Sequence, residues 1–308
     1  MGNTAANSIP ISVPAAAERN LTYLAFYALI ACYAVSRVLQ GFPQRAPLIL
    51  TVVLHVFPPL LFALLHGRIV WGRRSILVFF AICFAVAGTV EKIGITTGFP
   101  FGRYFFTDAM GPKISGVPIF LGLAYVGMGY LSWIVASLIL GWERRHLTGW
   151  RVVALPAFAA LVMTSWDFCM DPVWSTIVRA WIWIDGGSYF GVPISNFVGW
   201  YGNVFVIYLL FAIYSTGRSR TLRTEAVPAK FWKAAVLFYG VSVFGNFFNL
   251  IPQTPDPVAD ATGKLWPLRS VTGATALATV FTMGAFLLLA CIRLAEAPNP
   301  DAAPPNSL

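Results

Sequence analysis

Apolar runs of about 18 residues or more recur along the whole chain, each long enough to cross a bilayer as a helix. A backbone in hydrocarbon must satisfy its own hydrogen bonds, which leaves such a chain few folds. The sequence therefore predicts an all-α, polytopic integral membrane helical bundle of about eight transmembrane helices. Only 11% of the 308 residues are charged, against roughly a quarter in a soluble domain. Spans are expected at about 21–40, 48–66, 75–97, 117–140, 152–171, 196–215, 232–252 and 270–292. They form one transmembrane domain, 21–295, between tails 1–20 and 296–308 whose Ala, Asn, Ser and Pro content reads as disordered. Pro58-Pro59 is expected to kink the second span. The Trp-rich segment 173–185 reads as re-entrant or interfacial.

A net charge of +9 would suggest nucleic acid in a soluble protein. Here the basic residues sit in short loops, so membrane topology explains them and no nucleic-acid partner is expected. With eight spans, 13 of the 21 Lys and Arg fall on one side, including Arg68, Arg73, Arg74, Arg218, Arg220 and Arg223. That bias places both termini in the cytoplasm of a multi-pass cell-membrane protein. It also gathers Glu91, the loop 98–116, Asp167, Asp171, Asp185 and Asn196 at the opposite, outer half, where they could share one pocket.

The motif-bearing core is 91–200. Asp167 and Asp171 are four residues apart at the end of an apolar run, on one helix face, before Pro172. An intramembrane acid costs about 2.5–3.5 kcal/mol at the bilayer centre on insertion scales, so each marks a candidate site. Glu91 precedes Gly94, Gly98, Pro100 and Phe101-Gly102-Arg103-Tyr104, a density of Gly and Pro that suits irregular backbone beside a cavity. The bland alternatives are an ion pair of Glu91 with Arg103 or Lys92, and a helix-end role for Asp171. An echo links two stretches: Ser115-Gly116-Val117-Pro118-Ile119 opens the fourth span and Phe190-Gly191-Val192-Pro193-Ile194 the sixth. Each follows an acid-bearing span, as in a repeat about an axis along the membrane normal.

Trp166, Trp181, Trp183 and Tyr104 lie near acids in sequence, where their π faces could steady a cation. A carboxyl that keeps its proton near neutrality can act as a general acid. Paired acids in an aromatic, membrane-embedded setting suggest protonation of a lipophilic alkene to a tertiary carbocation, capture by water, and uptake of the water's proton by a second carboxylate. That chemistry requires neither redox cofactor nor metal. The four cysteines (Cys32, Cys83, Cys169, Cys291) form no Cys-x-x-Cys pair and read as small buried hydrophobes. Three scattered histidines have no metal-ligand spacing, and His55 reads first as a core histidine bonded to a carbonyl. No phosphate-binding glycine loop is present.

The ordered set Glu91-Lys-Ile-Gly94, Phe101-Gly102-Arg-Tyr104, Gly116-Val-Pro118, Trp166-Asp167, Asp171-Pro172, Trp181-Ile-Trp183, Phe190-Gly191-Val-Pro193 and Asn196-Phe197-Val-Gly199-Trp200 resembles the membrane carotenoid hydratases, the family of γ-carotene hydratase and bisanhydrobacterioruberin hydratase. The resemblance covers about a third of the chain. It implies hydration of the terminal double bond of an acyclic carotenoid end to a tertiary alcohol. Partners would be that carotenoid, water, membrane lipid and other carotenoid-pathway enzymes. Asp167, Asp171 and Glu91 would then be catalytic, and Tyr104, Trp166, Trp181, Trp183, Asn196, Phe101 and Trp200 would bind substrate. An aromatic, often Trp, follows the first Val-Pro in that family, and Tyr125 stands in this region here. Two other readings stay open: a membrane prenyltransferase or carotenoid cyclase, and a non-enzymatic carotenoid-binding or transport protein.

Overall fold

A computed structural model describes residues 16–143, 145–216, 227–251 and 255–296. Most of both expected tails, and Arg144, Arg218, Arg220 and Arg223 of the basic loops, lie outside the described residues. The protein is an all-α polytopic membrane bundle, with eight helical spans among the described residues long and apolar enough to cross a bilayer. Its helices are α1 (Ala16–Gln40), α2 (Leu48–Val70), α3 (Arg73–Thr97), α4 (Ile119–Ile139), α5 (Arg151–Asp171), α6 (Ile194–Thr216), α7 (Ala229–Gly245), α8 (Leu268–Thr279) and α9 (Ala285–Glu296). A π-helical turn joins α8 to α9 into one span. Helix α1 thus begins four residues inside the stretch 1–20 that reads as a disordered tail.

Proline sets where several spans begin. Pro47, Pro118, Pro228 and Pro267 stand immediately before α2, α4, α7 and α8. The first N–H groups of a helix have no internal partner, so a residue without one costs nothing there. Helix α4 is the most buried span: every residue from Ala124 to Leu138 is buried. It packs against α2 and α5, and α5 packs in turn on α6. Pro58 and Pro59 lie inside α2, which continues through them to Val70. Cys83 and Cys169 are buried as expected, whereas Cys32 and Cys291 lie on exposed faces; all four are free thiols.

The loops that follow α3 and α5 form a cap at one end of the bundle. Strand β1 (Tyr104–Phe106) pairs antiparallel with β4 (Trp181–Trp183), in the register Tyr104↔Trp183, Phe105↔Ile182 and Phe106↔Trp181. The hairpin of β2 (Lys113–Ile114) and β3 (Val117–Pro118) leads into α4. A smaller pair, β5 (Val258–Ala259) with β6 (Leu265–Trp266), precedes α8. The segment 173–185 takes a definite form: α5 runs past Pro172 as a π-helical turn to Ile177, and the chain then extends into β4.

The two Gly-Val-Pro stretches share a backbone conformation. Ser115 and Gly116 have φ of 51° and 87°, and Phe190 and Gly191 have 52° and 90°. Two successive positive φ values make the tight hairpin turn that glycine favours. Tyr125 and Trp200, each nine residues beyond its glycine, stack on one another at 4.6 Å.

Candidate active site

Asp167 and Asp171 lie one turn apart on α5, and each is 1% exposed. Asn196, in the first turn of α6, bridges them: its Nδ2 donates to Asp171 Oδ2 at 2.7 Å and to Asp167 Oδ2 at 3.1 Å. The cap adds two more donors. Trp181 Nε1 donates to Asp171 Oδ1 at 2.8 Å, and Trp183 Nε1 approaches the same oxygen at 3.4 Å. The two tryptophans alternate with Ile182 along β4, so the strand period of two turns both toward the acid.

Glu91, on α3, accepts Tyr104 Oη at 2.5 Å and Tyr125 Oη at 3.0 Å. Asn203 Nδ2 donates to Tyr125 Oη at 3.1 Å, which leaves the tyrosine proton for the carboxyl. Gly94, one turn beyond Glu91, permits the approach: a Cβ there would stand 2.8 Å from both Tyr104 Oη and the Phe101 ring. The Tyr104 hydroxyl holds its proton far above the ordinary range, because burial and then the neighbouring Glu91 charge oppose the phenolate. Neither expected bland role is found. Arg103 pairs with Asp185, Lys92 donates to the Ser115 carbonyl, and no Lys or Arg among the described residues forms an ion pair with Glu91, Asp167 or Asp171.

These acids face a narrow cavity of about 60 Å³, room for a few water molecules or the end of a chain. All ten residues singled out in the sequence line it: Glu91, Asp167, Asp171, Phe101, Tyr104, Trp166, Trp181, Trp183, Asn196 and Trp200. Aromatic rings build most of the wall. Tyr104 and Trp183 meet at 4.9 Å between centroids, Trp174 stacks on Trp181 at 6.5 Å, and Trp166 leans on Trp200 at 6.3 Å. Among the described residues, no group of three or more His, Cys, Asp or Glu is placed to hold a metal ion.

Sequence reasoning missed His55 and Trp174 as lining residues. His55 is not the carbonyl-bonded core histidine expected; His66 has that role, with Nε2 at 2.8 Å from the Phe231 carbonyl. His55 lines the cavity instead, stacked on Trp166, with Gln40 Nε2 at 3.1 Å from its Nδ1. Its buried Nε2 has no hydrogen-bond partner among the described residues. Its place inside an apolar run was the only sequence signal, and core histidines share it.

The family model for carotenoid biosynthesis proteins matches residues 48–259, from the start of α2 to the end of β5. The chain belongs to the carotenoid biosynthesis protein family. Every residue lining the cavity falls inside the matched stretch. Bisanhydrobacterioruberin hydratase of Haloarcula japonica is similar at 29% identity over 201 residues, which is 64% of this chain and 65% of that relative. The similarity thus spans just under two thirds of the relative's length. No solved structure matches the chain.

Proposed function

We propose that this carotenoid biosynthesis protein is a membrane carotenoid hydratase, a hydro-lyase that adds water across the terminal double bond of an acyclic carotenoid end. The observation that carries the reading is the acid pair bridged by Asn196, facing an aromatic cavity and paired with no basic residue. The family and the hydratase relative support the same class.

The hydrogen bonds support the following division of roles. Asp171 gathers N–H groups from Trp181, Trp183 and Asn196 over its two oxygens, a setting that suits a carboxylate. Asp167 accepts only the longer Asn196 bond, on Oδ2, leaving Oδ1 to carry the proton the pair shares. In the reaction Asp167 gives that proton to the CH carbon of the terminal double bond. The π electrons form the new C–H bond, and the tertiary carbon becomes cationic. The ring faces of Trp166, Trp181, Trp183 and Tyr104 stabilise the cation. Water attacks the tertiary carbon and loses a proton to Asp171, or to Glu91, and return of that proton to Asp167 closes the cycle. His55 Nδ1 is engaged by Gln40, so its Nε2–H is available to orient the water. No cofactor enters these steps. The bias of basic residues toward one set of loops supports a cell-membrane protein with both termini on the cytoplasmic side.

Among the described residues no lysine or arginine lines the cavity, which disfavours a diphosphate-binding prenyltransferase. The test is chromatography with mass spectrometry on pigments from cells that make an acyclic carotenoid. Wild-type protein should yield a more polar product heavier by one water, and Asp167→Asn should lower its formation roughly 10²–10⁴-fold. Folded Asp167→Asn protein with undiminished product would remove Asp167 from the role. Unaltered carotenoid bound to wild-type protein, across a panel of carotenoid ends, would favour the binding-protein reading.

A further inference from the structure

A second space adjoins the cavity. It is a groove of about 440 Å³ between α3 and α4, larger than the acid cavity of about 60 Å³. Phe84, Ala87, Gly88 and Glu91 line it along one stripe of α3, at the spacing of a single helix face. Leu121 and Gly122 line it from α4. Its outer end is polar, where Lys92 Nζ donates to the Ser115 carbonyl at 3.0 Å. Apart from Glu91 and Thr89 the rest is apolar, and from Glu91 back to Phe84 it follows α3 for roughly 10 Å. At that end the Phe84 ring lies against Gly122, 2.8 Å from where a Cβ would stand.

Two residues belong to both spaces. Glu91 and Leu121 line the groove and the acid cavity alike, so they are the wall between them. The groove is lateral, set between two spans that cross the bilayer. A carotenoid is a long, rigid polyene held in hydrocarbon, and only its end reacts. We propose that this groove receives the polyene chain from the bilayer, with its reactive end directed past Leu121 to the acid pair. This inference rests on the hydratase reading. At Gly88, on the α3 wall of the groove, a Cβ would meet nothing within 4 Å, so the position is open space.

That openness supplies the test. Gly88→Phe places a ring in the groove from a Cβ that meets nothing within 4 Å, on a helix where phenylalanine is better tolerated than glycine. Gly273→Phe, on α8 and equally uncrowded, is the control for a bulky ring elsewhere in the bundle. Both are compared with wild type on a full-length acyclic carotenoid and on a short isoprenoid with the same terminal group. Retained pigment per purified protein is measured as well. Gly88→Phe should lower kcat/KM for the long substrate at least tenfold relative to the short one, mainly through KM, and reduce retained pigment in parallel. Gly273→Phe should leave the ratio unchanged. An unchanged ratio and unchanged pigment in folded Gly88→Phe would overturn the assignment and leave the groove to bilayer lipid. Wild-type protein that retains carotenoid but hydrates neither substrate would overturn the hydratase reading alone, and pigment retention would still decide the groove.

Discussion

Replacing Asn196 by Leu keeps the shape of the side chain and removes the amide that bridges the two aspartates. Two hydrogen bonds go, at 2.7 Å to Asp171 and 3.1 Å to Asp167. A bond to a charged acceptor contributes about 1.5–3 kcal/mol and a neutral one about 0.5–1.5 kcal/mol. Their sum, about 2–4.5 kcal/mol, is an upper bracket, because Asp171 keeps its donors from Trp181 and Trp183. The lower end is expected: about 2 kcal/mol in the barrier, or roughly 30-fold in kcat. KM should change little, since the cavity wall keeps its aromatic rings. The pH–rate profile should change as well, because the amide links both members of the pair. The assay is initial-rate hydration in membranes of matched protein content, with the folded fraction measured by thermal melting in detergent. Folded Asn196→Leu protein with kcat within twofold of wild type and an unaltered pH profile would refute the bridge as part of the catalytic machinery.

The two indoles on β4 should not be equivalent. Trp181→Phe removes a 2.8 Å donor to Asp171 while keeping an aromatic face, and should lower kcat roughly 10- to 100-fold. Trp183→Phe removes a contact at 3.4 Å, beyond good hydrogen-bond length, and should cost only a few-fold in the same rate assay. The Arg103–Asp185 clasp across the cap should be acid-sensitive. The Arg103 hydrogen bonds and charge hold the Asp185 carboxyl below the ordinary range, so the clasp contributes above the unfolded value of about 3.9 and is lost as pH falls through the lower folded one. Tryptophan fluorescence should report loosening of the cap at that acidic step, and Asp185→Asn should abolish the step and give the loosened signal already near pH 7.

Much of this molecule was legible in the chain because hydrocarbon permits so little. An apolar run in a bilayer must be helical, so the eight spans followed from length and hydropathy, with several beginning beside a proline. The acids stood out for the same reason. Asp167 and Asp171 are costly in that setting, and their four-residue spacing on a helix fixes a shared face. Their bonding was not legible. The chain predicted ion pairs as the bland fate of Glu91, yet Tyr104 and Tyr125 reach it from a loop and a neighbouring helix. His55 could not be told from a core histidine, because its role depends on what packs across from it.

Sequence alone determined that this is a helical membrane bundle and which ordered residues tie it to carotenoid biosynthesis, since both are written in local composition and spacing. Tertiary structure alone decided how the acids are dressed. The register Tyr104↔Trp183 joins two short strands far apart in the chain, and no local pattern in either strand encodes it. That pairing carries Trp181 and Trp183 onto Asp171 while the bundle brings Asn196 across from α6. Which carboxyl has donors to spare and which has an oxygen free for a proton follows from those long-range contacts, because hydrogen bonding depends on what the fold places within 3 Å or so, not on what is adjacent in the chain.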